Sequence, residues 1–170
     1  QVQKLFDDGK IGKSEEQLMT GIISNSIQLI THNSRHSESG KNIIILSADS
    51  ESSLISEAAG AAFRSQNWNV FSIGDMSSSI DVLFDLELRK LLSKTWKSKE
   101  GVMIILVSSK TEEGLKFISD SFYSVKEKSE NNLFIILSGK TGKKVKIKGD
   151  LSTSKLEDIL QWSNTKYENL

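Results

Sequence analysis

A chain of 170 residues with 22 basic and 22 acidic side chains carries no net charge, which argues against a surface that grips nucleic acid on its own. It holds no cysteine, so disulfides and thiolate metal centres are excluded, and no apolar run approaches the about 18 residues a membrane helix needs. One domain with a small helical appendage suits this length, and a cytoplasmic location is the expectation, because nothing like an apolar leader follows Gln1-Val2-Gln3-Lys4.

The first 31 residues read as helical. Leu5 and Phe6 lead into Asp7-Asp8-Gly9-Lys10, where Gly9 supplies a helix stop. Ser14-Glu15-Glu16-Gln17 is expected to open a second helix as a capping box, Ser14 at the cap and Gln17 three positions on. Leu18, Ile22, Ile23, Ile27, Leu29 and Ile30 follow close to a helical period. A polar linker from His32 to Lys41 separates this segment (residues 1–36) from the rest (residues 37–170).

From Asn42 the chain alternates strand and helix. Apolar runs at 42–48, 69–73, 102–107 and 133–137, with a weaker one at 145–147, are separated by amphipathic stretches near 53–66, 80–94, 112–128 and 155–164. Uninterrupted apolar strands are buried on both faces, so helices must cover both sides of a parallel sheet. Five strands in this alternation predict an α/β fold of flavodoxin-like order 2-1-3-4-5, whose ligands bind beyond the carboxyl ends of the strands. The loops there, 47–53, 74–79, 108–113 and 138–143, are rich in Ser, Gly and Lys. They offer hydroxyls and helix N-termini to a small polar ligand, although Ser at such positions equally serves as a helix cap.

The loop after the first strand reads Asp49-Ser50-Glu51-Ser52-Ser53-Leu54-Ile55-Ser56. With Ser108-x-Lys110 after the third strand and Ser138-Gly139 after the fourth, 27 residues apart, this frame resembles the cobalamin-binding domain of methionine synthase, the mutases and light-sensing MerR-type repressors. That family carries acid-x-His-x-x-Gly, Ser-x-Leu and Gly-Gly at the three places. Phe63 to Gly74, with Trp68 before the second strand, is similar to another passage of the family. Upstream, Phe6 followed after nine residues by Glu16-Gln17 looks like the light-sensing repressors' Trp and Glu-His.

The resemblance implies a cofactor site at Phe6, Glu16, Gln17, Glu51, Ser53, Ser56, Ser108, Ser138 and Gly139; for a different polar ligand in the same crevice, Ser109 is a candidate contact beside Ser53, Ser56, Ser108 and Ser138. It also implies a changed chemistry. Ser53 stands where the family's imidazole ligates cobalt, and a neutral hydroxyl is a weak donor beside imidazole. Glu51 then has no ring to orient, Ser56 adds a Cβ where the family has Gly, and Lys110 replaces Leu. The expectation is a regulatory domain of a MerR-type transcriptional regulator, homo-oligomeric, reaching DNA only through a part upstream of Gln1. Cobalamin, if taken, would be held without His ligation; a His-independent cobalamin sensor and a corrinoid carrier are the alternatives.

Other signals lead elsewhere. A phospho-receiver needs Asp at the end of the third strand, where Val107-Ser108 stands. Ser138-Gly139-Lys140-Thr141 ends like a phosphate loop but lacks its first glycine, that position falling on Phe134. His32 and His36 have no third ligand near them in sequence, the lysines of 140–148 read as a solvated edge, and Trp68, Trp96 and Trp162 read as packing residues. No Ser-His-acid set or paired carboxylates emerge, so an enzyme is not expected.

Overall fold

The apolar runs of the central strands become strands because their side chains find a partner surface on both faces. In the computed structural model, which describes residues 2–32, 40–77, 85–96, 99–126, 132–139 and 147–170, β1 (Lys41–Ser47), β2 (Asn69–Asp75), β3 (Val102–Ser108), β4 (Leu133–Ser138) and β5 (Leu151–Ser152) form one parallel sheet in the order β2-β1-β3-β4-β5. The expected flavodoxin-like topology is present. β3, central, is buried at all seven positions.

Alternation divides the core in two. Ile44, Leu46, Ile105, Val107 and Leu137 face α4 (Asp85–Thr95) and α5 (Glu112–Lys126), packing on Ile118 and Phe122. Ile43, Ile45, Ile104, Leu106 and Ile136 face α3 (Ser53–Ser65) and α6 (Leu156–Glu168), packing on Phe63, Trp68 and Ile159. Phe63 and Trp68 meet edge to face with ring centroids 5.2 Å apart. The indole N–H of Trp68 donates to Asn164 Oδ1 at 3.1 Å, and Asn164 Nδ2 donates to Gln66 Oε1 at 2.8 Å. Asn164→Ala leaves the half-covered indole N–H without its acceptor and is expected to cost about 1–2 kcal/mol in urea unfolding; an unchanged midpoint would mean that water replaces the amide.

Two boundaries differ from expectation. Of the stretch expected to supply the fifth strand, 145–147, Val145 and Lys146 lie outside the described residues and Ile147 is irregular. Leu151 and Ser152 pair with Ile136 and Leu137 instead. The switch rests on Asp150, whose carboxylate accepts the Ile135 N–H at 2.7 Å and the Lys126 ammonium at 2.6 Å, which seats the chain beside β4. The expected helix near 80–94 is described from Asp85 on, and positions 80–84 lie outside the described residues.

At the N-terminus, α1 (Val2–Asp7) ends as expected at Gly9, which has φ +67°. Gly9 N–H to Phe6 O and Lys10 N–H to Leu5 O close a Schellman turn. The cap of α2 (Lys13–His32) lies two residues earlier than expected. Glu15 Oε2 reaches back to the Gly12 N–H at 2.8 Å, so Gly12 and Glu15 take the places assigned to Ser14 and Gln17. A carboxylate is the stronger acceptor for an orphan N–H, which favours this frame. α2 lies against α3, with Ser24 Oγ donating to Glu57 Oε2 at 2.9 Å. Among the described residues no helix is long and apolar enough to cross a membrane.

Candidate functional site

Three serines end three adjacent strands in register. Ser47 pairs with Ser108, and Ser108 with Ser138, across the carboxyl edge of the sheet. All three continue the alternation of Ile45, Leu106 and Ile136, so their hydroxyls point to the α3–α6 side, and all three are buried. Ser47 Oγ is 3.3 Å from Ser53 Oγ and 3.3 Å from Gly74 O, to which it donates. Ser108 Oγ is fully covered and has no hydrogen-bond partner among the described residues. A buried hydroxyl left this way is costly and marks a place where a polar group from outside would be favourable.

Asp49 fixes the loop above this row. It caps the short turn Ser50–Ser52, its Oδ1 accepting the Ser52 N–H at 2.9 Å. Its Oδ2 accepts Ser109 Oγ at 2.7 Å and the Lys110 N–H at 2.8 Å. Partial burial pushes the Asp49 carboxyl up, but the hydrogen bonds from Ser109, Ser52 and Lys110 outweigh it and hold it below its ordinary value. One carboxylate thus ties the β1–α3 loop to the β3–α5 loop. Beside it Lys110 Nζ meets Glu51 Oε2 at 2.7 Å, both side chains largely in water. Glu51 has a partner after all, the lysine that stands at the resemblance's leucine position.

Above these loops lies a cavity of about 550 Å³. Val2, Glu16, Thr20 and Ile23 of the helical pair form one side, and Ser50, Glu51, Leu54, Ile55 and Lys110 the other. A separate cleft of about 140 Å³ opens between α3 and the ends of β1 and β2, with Ser53, Ser56, Glu57 and Asp75 among its lining. Ser56 Oγ donates weakly to Leu46 O at 3.4 Å.

The structure therefore distributes the sequence-derived residues over several places. Glu16 and Glu51 line the large cavity together; Ser53 and Ser56 face the smaller cleft; Ser108 and Ser138 lie in the serine row. Phe6 and Gln17 are exposed and are not among the cavity-lining residues. Gly139 passes so close to the Ser109 carbonyl that a side chain there would collide with it, which is a packing reason for glycine. Sequence reasoning missed Asp49, although an Asp directly before a helical turn is a cap signal. It also missed Thr20, Ile23, Leu54 and Ile55, which only the placement of α2 over the loops reveals. Among the described residues, no three His, Cys, Asp or Glu side chains converge as a metal site would require.

No protein-family model matches the chain, and no curated protein sequence does. Among solved structures it is similar to the monomethylamine corrinoid protein of Methanosarcina barkeri, with a TM-score of 0.67 at 11% identity. The superposition takes in 99% of this chain and 77% of that one, so it includes the helical pair as well as the sheet. The likeness establishes the fold.

Proposed function

We propose that this chain is a regulatory, non-enzymatic domain that takes a corrinoid between its helical pair and the carboxyl edge of its sheet, without a protein imidazole on the metal. The observation that carries the reading is the cavity of about 550 Å³ lying between α1–α2 and the loops after β1 and β3, in a fold whose solved counterpart is a corrinoid protein.

The residues suit such a ligand in part. Val2, Ile23, Leu54 and Ile55 give apolar walls to the face of a macrocycle, while Glu16, Glu51, Thr20 and Ser50 can accept hydrogen bonds from amides on its rim. Among the described residues, no histidine lines this cavity. His32 closes α2, 16 residues after Glu16 and thus about 24 Å along the axis, and His36 lies outside the described residues. Bound cobalamin would supply a light-sensitive cobalt–carbon bond; the chain's residues would bind and shelter it. In a MerR-type regulator, DNA contact would belong to a part outside this chain and oligomerisation would relay the signal. The likeness to a corrinoid protein favours a carrier as the second reading.

The test is an absorption spectrum after incubation with adenosylcobalamin or methylcobalamin in the dark, followed by desalting. The expected result is corrinoid absorbance that stays with the protein after desalting. Leu54→Glu, which puts a further carboxylate into the wall, should reduce retention ~tenfold with unchanged circular dichroism. A colourless protein would exclude the corrinoid and leave a different small polar ligand for the same cavity. Transfer of the methyl group to an added acceptor protein would favour the carrier.

A further inference from the structure

A second cavity lies at the amino end of the sheet, opposite the loops described above. It measures about 210 Å³ and sits between the last turns of α4 and α5, where β3 and β4 begin. Arg89, Leu92 and Ser93 of α4 and Trp96 just after it recur at helical spacing, so they form one wall. Leu92 and Trp96, with Val125 of α5 and Leu133 of β4, make an apolar floor that is part of the core. That floor is fixed in shape, because the indole N–H of Trp96 donates to Glu100 O at 2.9 Å. An apolar cavity of about 150 Å³ takes a molecule the size of benzene, so this one has room for roughly six to eight carbons.

The mouth carries one sign of charge. The two charged residues that line the cavity, Arg89 and Lys99, are both exposed cations, and among the described residues no carboxylate lines it. The chain as a whole has no net charge, so this is a local asymmetry. Ion pairs made by exposed side chains are weak, and an arriving anion can displace whatever acid such a cation meets.

We propose that this cavity binds a small amphipathic carboxylate, its apolar tail on Leu92, Trp96, Val125 and Leu133 and its head group at Arg89 and Lys99. An apolar floor under a cationic rim selects that chemistry. A guanidinium meets a carboxylate through two parallel N–H donors, which a neutral head group cannot match. A small anion without a tail would leave the floor unused. The site is separate from the cavity beneath α1 and α2 and does not depend on what binds there.

Calorimetric titration of the full chain with sodium octanoate tests the proposal, with octanol as the uncharged comparison. Octanoate should bind at a single site, about tenfold or more tightly than octanol, and should weaken as salt is raised. Arg89→Gln should weaken octanoate about tenfold and leave octanol unchanged. Lys94→Gln removes an exposed cation of the same helix that does not line the cavity, and should change neither. Ser93→Phe fills the space from its exposed rim and should abolish binding of both at unchanged circular dichroism. No binding of octanoate overturns the proposal, and so does octanoate bound no more tightly than octanol. Octanoate binding that survives both Arg89→Gln and Ser93→Phe also overturns it.

Discussion

Gly139→Ala is expected to destabilise the protein by about 3 kcal/mol. The new Cβ would fall far inside contact distance of the Ser109 carbonyl oxygen and 3.1 Å from Leu115 Cδ1. The obstacle is backbone, not the tip of a flexible side chain. To make room, either the β4 end or the β3–α5 loop must move, and that loop is held by Asp49 through Ser109 and the Lys110 N–H. The Ser109 N–H also donates to Ser138 O at 3.0 Å, so the two strand ends are already drawn together. Urea unfolding of the variant checks the value. A loss below about 1 kcal/mol would mean that the loop relaxes at little cost, and that the glycine is there for another reason.

Asp49→Ala should cost about 2–3 kcal/mol, since three donors lose their acceptor at once and only part of the loss is recovered by water. Asp49→Asn keeps an oxygen for the Ser52 N–H and should cost roughly half as much. The pH dependence has a definite sign. Hydrogen bonds hold the folded carboxyl below its ordinary value of 3.8 in spite of partial burial, so the folded state binds this proton less readily than the unfolded state. The stabilisation is complete above the unfolded value and is lost as pH falls through the folded one. The difference in stability between the wild type and Asp49→Asn should therefore be flat above about pH 5 and shrink below it. A difference that grows on acidification would mean that Asp49 prefers the proton in the folded protein.

The sheet was legible because its strands carry the message residue by residue. Ile43 to Leu46 and Val102 to Val107 are apolar on both faces, and only a covered parallel strand tolerates that. The fifth strand was not legible. It has two residues, and a side chain, Asp150, seats it by taking the N–H of Ile135 from 15 positions away. The site divides in the same way. Ser108 and Ser138 could be named from the family resemblance, but that they stand in one row with Ser47 is a fact of register. Glu51 could be named too, yet its partner Lys110 lies 59 residues on. The resemblance joined Glu16 to Glu51, but the apolar wall of the cavity was not legible, because Val2, Ile23, Leu54 and Ile55 meet only once α1 and α2 pack over the loops.

The position of β3 has a consequence for how the site holds together in time. Local stability varies across a fold, from fraying helices to strands that open only with the whole molecule. β3 is covered on both faces and paired on both edges, so Ser108 belongs to the last segment to let go. The helical pair rests on the other side of the cavity, with much of its aliphatic surface in water. A ligand there would bridge the slowest and the fastest parts of the protein. Its binding energy would appear mainly as slower fraying of α1 and α2, while the strands beneath, already near the limit set by global unfolding, would register almost nothing.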